Sequence, residues 1–354
     1  MMMGSRVTEK TAGIRDVAAH AGVSQTTVSH VLNATPHTRV SEDTAARVRA
    51  AAAELGYRPN RLARGLRTQA SDMIGLLTEE IATTPHAGRI ILGAQEEASR
   101  GNLTLAIINS ELNPDPEVGS APIQAFLDRQ VDGIIYATVY HDEIIAPENL
   151  RSRPAALIGA RDSAGAIPAV LPDERAGAAS VVEMLARAGH RRIGFAASAE
   201  DVPATRGRLL GYLDAMHAAG LPTDDLVVAG TADARGGYRA TVDLLDRRPT
   251  AVFCYNDRMA IGAYRAAGER GLVIPTDLSI VGFDDQAPIP DSLFPTLTTV
   301  SLPHYEMGAW AVATLSALAQ GKGEETLLAA HPTVLACPLV ERESVASPRP
   351  GALA

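Results

Sequence analysis

Gln25, Thr26, Ser29 and His30 offer amide, hydroxyl and imidazole groups at spacing i, i+1, i+4 and i+5, so a helix through them gathers all four on one face near its start. Such groups hydrogen-bond to base edges in the DNA major groove, where the first residues of a recognition helix lie. Ser24, Thr27 and Asn33 border the set and belong to the same candidate DNA-binding group. The apolar residues around them prescribe that helix. In IRDVAAHAGVSQTTVSHVLN, Ile14, Val17, Ala18 and Ala21 line one face of a short helix, and Val28, Val31 and Leu32 line one face of the next. Gly22 can take the left-handed conformation that ends a helix, and Ser24 is a good N-cap for the second. The pattern is a helix-turn-helix. A third helix is expected from Ser41, with Glu42 and Asp43 at the positive end of its dipole; it would bury Ala45, Val48, Ala52 and Leu55 and stop at Gly56.

The formal charge of -9 conceals an asymmetry: residues 1–70 carry +5 and the remainder -14. A basic head on an acidic body is expected where the head alone meets phosphate.

From Ile14 to about Arg67, the segments DVAAHAGVSQTTVSHVLN and ELGYRPNRLARGLR together resemble the DNA-binding head and hinge of the lactose and purine repressor family. That resemblance implies that Asn60 to Arg67 form a hinge helix on operator DNA, with Arg61, Arg64 and Arg67 near phosphates and Leu66 wedged into the minor groove. A helix this short is marginal alone, and Gly65, where the family more often has Ser, removes up to about 1 kcal/mol more of helix propensity. The loop NATPHTRVSE is longer than is usual in the family, so its contacts do not carry over.

Beyond the hinge, MIGLLT, LTLAIINS, DGIIYAT, AALIG, RIGFAAS, TAVFCYND and LSIVGFDD alternate with amphipathic stretches, a pattern that gives parallel sheets. They fall into two groups. The expected fold class is an all-α helix-turn-helix head joined to an α/β body of two Rossmann-like lobes, and the resemblance implies a periplasmic-binding-protein-like body with a ligand cleft between the lobes. Ligands of such sheets lie beyond the carboxyl ends of the strands. The resemblance places His86, Thr138, Tyr140, Asp173, Arg208 and Asp257 there as effector-binding residues, with the Arg208 guanidinium pairing with ligand oxygens and Asp257 as the matching acceptor. Asp173 also reads as an N-cap. Where many family members have an aromatic platform, this chain has Ala232, which weakens the usual argument for a stacked sugar. His190 lies at the strand end away from the cleft and reads as structural, and Trp310 as core or interface.

No P-loop, GxGxxG after a strand, HExxH, CxxC or GxSxG elbow occurs, which argues against an enzyme. Adjacent Asp284 and Asp285 could pair as acid and base only if they faced the same way, which neighbours at a strand end rarely do. Cys254 and Cys337 lack metal-ligand spacing, and no metal or cofactor is expected. No apolar run is long enough for a bilayer span, and MMMGSRVTEKTAG lacks the features of an export signal, so a cytoplasmic location is expected. The expected domains are a flexible start (1–12), a helix-turn-helix domain (13–59), a hinge (60–70), a two-lobed effector-binding and dimerisation domain (71–344) and a flexible tail (345–354). The expected partners are palindromic operator DNA, a second copy of the chain, and a small-molecule effector, a carbohydrate before a nucleobase. The rival reading is a solute-binding transport receptor, which would share the body but not the basic head.

Overall fold

A computed structural model describes residues 12–32, 39–57, 70–79, 87–110, 116–138, 143–321 and 332–349. The chain divides into two compact units, Met1–Ser71 and Asp72–Ala354.

In the first unit, α1 (Ile14–Ala21), α2 (Gln25–Leu32) and α3 (Glu42–Glu54) enclose a small core. Val17, Val28 and Val48, one from each helix, are fully buried beside Ala18, Ala21, Ala51 and Ala52. Helix ends have local causes. Gly22, at φ 65°, closes α1 through bonds from its N–H to Ala18 and Ala19 carbonyls, and Ser24 Oγ accepts from the Thr27 N–H at 3.1 Å. Ser41 Oγ caps α3 by accepting from the Thr44 N–H at 3.3 Å. Ala45, expected in this core, is only half-buried, and Ala51 sits there instead because the inward face of α3 runs through positions 48, 51, 52 and 55.

The second unit has two lobes. The first is built on a parallel sheet of β1 (Met73–Glu79), β2 (Thr104–Ser110), β3 (Gly133–Ala137), β5 (Ala155–Ile158), β7 (Ala169–Pro172) and β13 (Thr333–Leu335), in the order β13-β7-β5-β3-β1-β2. The two-residue strands β4 (Glu143–Ile144) and β6 (Arg161–Asp162) pair separately. Both faces of the main sheet are covered, so successive residues are apolar to opposite sides. Ile74, Leu76, Ile135 and Ile158 pack on α4 (Ala87–Arg100) and α11 (His304–Ala319). Leu77, Ile134, Tyr136 and Leu157 pack toward α5 (Pro116–Asp128), which contributes Ile123 and Phe126. Trp310, on α11, is partly buried against the first of these clusters.

The second lobe holds β8 (Ile193–Ser198), β9 (Val227–Gly230), β10 (Ala251–Cys254) and β11 (Ser279–Val281), parallel and in the order β11-β10-β8-β9. Its helices are α6 (Glu174–Arg187), α7 (Pro203–Ala218), α8 (Ala234–Leu245) and α9 (Asp257–Glu269), followed by the one-turn α10 (Ile289–Ser292). Phe195 anchors the core, stacked on Tyr212 and Phe253 with ring centroids 5.2 and 4.7 Å apart. In both sheets strand order reverses beside the first strand, at β1 and at β8, which sets a crevice at the carboxyl ends.

The chain crosses between lobes after β7, again after β12 (Thr299–Val300), and between β13 and β14 (Leu339–Val340), which pairs antiparallel with β12. The tail expected to be flexible is anchored over 345–349: the Ala346 N–H donates to Ser279 Oγ at 3.1 Å and Arg349 pairs with Asp277. His190 holds the same segment. Its Nε2 donates to the Ala346 carbonyl at 2.9 Å, leaving Nδ1 to accept from Thr250 Oγ1, also 2.9 Å away. Residues 350–354 lie outside the described residues, as do 1–11 and 58–69, which include most of the expected hinge.

Candidate functional site

On the first unit, α2 presents Gln25 and Thr26 exposed, with Ser29 and His30 half-buried on the same side. Ser24 and Thr27 are joined through their hydroxyls at 2.9 Å and also form the helix cap, so their first duty is to fix where the helix begins. Asn33, Arg61, Arg64, Leu66 and Arg67 lie outside the described residues.

On the second unit, a cleft of about 420 Å³ opens at the carboxyl ends of both sheets. The first lobe contributes Thr138 after β3, Gly159 after β5 and Asp173 after β7; the second contributes Ala232 after β9, Tyr255 and Asn256 after β10, and Asp284 after β11. This size suits a small polar molecule enclosed on most sides.

Arg208 lies deepest in chemical terms. It is 3 % exposed, on α7, with its Nε donating to Glu174 Oε2 at 2.8 Å and Nη2 to Glu174 Oε1 at 3.3 Å. Nη1 donates to the Tyr255 carbonyl at 2.6 Å, and Nη2 forms an ion pair with Asp284 Oδ1 at 2.9 Å. The guanidinium also lies 3.8 Å from the Phe283 ring centroid and 4.6 Å from that of Tyr255. Burial works against its charge, but Glu174 and Asp284 outweigh burial and hold the guanidinium above its ordinary pKa. A buried ion triad is costly to assemble for stability alone, but it holds rigid donors and acceptors in a dry site.

Asp257 does not join it. The residue is fully buried, is not part of the cleft wall, and accepts from Thr299 Oγ1 at 2.6 Å and from the Gln286 N–H at 2.7 Å. Burial first, and the Asp284 carboxylate second, push its pKa up to about 7. The carboxylates beside Arg208 in the cleft are Asp284 and Glu174, and Asp257 is not among them. Asp285 turns away to Arg342 at 2.9 Å, so the Asp284–Asp285 neighbours point apart. Asp173 both lines the cleft and caps α6, accepting from the Ala176 N–H at 2.9 Å. His86 and Tyr140 lie outside the described residues.

Residues 13–60 match the family described as bacterial regulatory proteins, lacI family, and residues 182–345 match a periplasmic binding protein-like domain. The HTH-type transcriptional repressor PurR of Proteus mirabilis is 35 % identical over 344 residues, covering 95 % of this chain and 97 % of that protein. The chain belongs to the lacI family. Its fold agrees: the lac repressor dimer, solved bound to operator and an anti-inducer, matches with a TM-score of 0.77 at 28 % identity, over 95 % of this chain and 100 % of the other. A CelR–cellobiose complex matches with a TM-score of 0.62 at 29 % identity, over 94 % and 99 %. As a lacI-family member it is a DNA-binding transcription regulator.

Proposed function

We propose that this regulator represses transcription as a dimer on a two-fold symmetric operator, and that a small polyhydroxylated effector in the Arg208–Asp284 cleft changes its operator affinity. The observation that carries this reading is the buried Arg208–Glu174–Asp284 set at the carboxyl ends of both sheets, in a chain that also carries a capped recognition helix. A guanidinium flanked by two carboxylates matches vicinal hydroxyls, each of which can donate one bond and accept others. A carbohydrate fits, and the similar CelR protein was solved with cellobiose. The resemblance to the lactose and purine repressor family keeps a purine-like effector as the second reading. Four base-facing side chains give one head limited discrimination, and paired half-sites are how helix-turn-helix proteins gain more. DNA reading rather than catalysis is its activity, and the cytoplasm is where it meets its operator.

Thr138 and Asp173 complete the effector wall in this proposal, and His86 and Tyr140 are proposed with them. Among the DNA contacts, Gln25, Thr26, Ser29 and His30 read bases; Asn33, Arg61, Arg64, Leu66 and Arg67 are proposed from the family resemblance. Selection of random duplexes on the purified protein tests the first half: a symmetric consensus is expected, and its loss of particular bases in Gln25→Ala or Thr26→Ala. An asymmetric consensus, or one unchanged in both variants, would contradict it.

A further inference from the structure

Among the described residues the cleft is lined by four arginines, and three of them are accounted for. Arg208 is held by Glu174 and Asp284, Arg175 pairs with Asp214, and Arg161 is exposed to solvent. Arg258 is different. It lines the cleft from the first turn of α9, is half-buried, and its Nε has no access to solvent and no hydrogen-bond partner among the described residues. Among the described residues no ion pair joins it to a carboxylate: Asp284 and Glu174 serve Arg208, Asp173 caps α6, and Glu200 is an exposed group on the rim.

Its position compounds the cost. The first turn is the positive end of the helix dipole, where an anion is favoured and a cation is not. The next strand in the sheet is β8, and α7, which follows it, also starts at the carboxyl end of the sheet. Val202, Pro203 and Ala204 at that start line the cleft, and Val202 has no side-chain cap to offer the first amides. A half-buried guanidinium without a counter-charge among the described residues, in a cleft that the starts of α7 and α9 both line, is matched by an anionic oxygen group.

We propose that Arg258 forms an anion subsite within the cleft, so that the effector is a polyhydroxylated molecule carrying a carboxylate or phosphate rather than a neutral sugar. This rests on the cleft being the effector site. Arg208, Glu174 and Asp284 would hold the hydroxyls, and Arg258 would be the specificity-determining residue for the charged end.

The test uses the full chain and Arg258→Gln, which keeps the stem and loses the charge. Thermal unfolding in inorganic phosphate against chloride at equal ionic strength should show a higher Tm in phosphate for the wild type and none for the variant. In chloride, without phosphate or any effector, Arg258→Gln should unfold at a higher temperature than the wild type, since the uncompensated cation is gone. Among matched pairs, gluconate against glucose and glucose 6-phosphate against glucose, the charged member should stabilise the wild type more, with the difference lost in the variant; a charge-assisted bond of this kind corresponds to about tenfold or more in affinity. Equal phosphate shifts in both proteins, no shift in either, or a lower basal Tm in the variant would overturn the subsite. The underlying site reading fails separately: it falls if Asp284→Asn leaves every ligand effect unchanged.

Discussion

Two buried residues, Asp257 and His190, make the protein's stability depend on pH in opposite directions. Asp257 in the folded chain titrates near 7, above the ordinary carboxyl range, chiefly because burial disfavours its charge. A raised folded pKa contributes stability that is complete below the unfolded value and lost as pH rises through the folded one. Asp257→Asn, which stays neutral, should therefore match the wild type only below the ordinary carboxyl value, about pH 4, and exceed it increasingly up to about pH 7, by on the order of a few kcal/mol at about 1.4 kcal/mol per unit. Its amide can still accept from the Gln286 N–H and donate to Thr299 Oγ1. Urea midpoints across that range check this, and parallel curves for the two proteins would contradict it. His190 titrates below its usual value because of burial, only partly opposed by the Ala346 carbonyl, and its contribution is lost as pH falls through the unfolded value; it is common to both proteins and cancels in the comparison. Arg208→Ala should cost about 3 to 5 kcal/mol, because it leaves Glu174 and Asp284 buried without their counter-charge. Asp284→Asn, which keeps the Arg208–Glu174 pair, is the gentler probe of ligand binding. The sequence put Arg208, Asp173 and Thr138 in the cleft, where they lie, and Asp257 with them, where the structure has Asp284 instead, since CYND and VGFDD both put a carboxylate just past a strand. What separates them is invisible in spacing: a Cβ at Gly282 would lie 2.2 Å from Asp257 Oδ1, so the glycine makes room for that carboxylate inside, while Asp284 turns into the cleft at φ 104°.

Helix boundaries were readable where one residue sets them. Gly22, Ser24, Ser41 and Asp173 each end or cap the expected helix. Ser24→Ala should destabilise α2 by about 1 kcal/mol, and the loss should show as weaker binding to every DNA sequence alike, because the cap orders the helix without choosing a base. A Ser24→Ala variant with wild-type affinity and stability would contradict that role. The short strands β9, β12, β13 and β14 were not legible, since two to four residues at a sheet edge are too few to show a period. Nor was the closeness of helix pairs. At Gly308 on α11 a Cβ would lie 2.1 Å from the Ile90 carbonyl oxygen of α4, and at Gly93 it would lie 2.0 Å from the Tyr305 carbonyl oxygen. Gly308→Ala should therefore push the two helices apart and cost about 1 to 3 kcal/mol, measurable by chemical denaturation; an unchanged midpoint would mean the helices do not meet so closely.

At the scale of the whole molecule, the basic head, the two groups of strand runs and the family resemblance made the architecture legible, because parallel sheets buried on both faces leave continuous apolar runs. The docked segment 345–349 was not foreseen: SVASPRP reads as a polar, proline-containing end, and its anchoring depends on His190, Ser279 and Asp277, which are distant in sequence. Effector control requires the ligand to prefer one arrangement of the lobes over the other, and coupling between two sites typically spans about 5- to 150-fold in affinity. The decisive measurement is fluorescence anisotropy of a labelled duplex carrying the selected symmetric site, titrated with wild type and with Asp284→Asn. Each titration is made with and without whichever of glucose, gluconate, glucose 6-phosphate, cellobiose and hypoxanthine most raises the wild-type Tm. The account predicts equal affinities without the compound, a shift of about tenfold or more for the wild type with it, and no shift for Asp284→Asn. An operator affinity that no compound changes, or one that changes equally in both proteins, would contradict it.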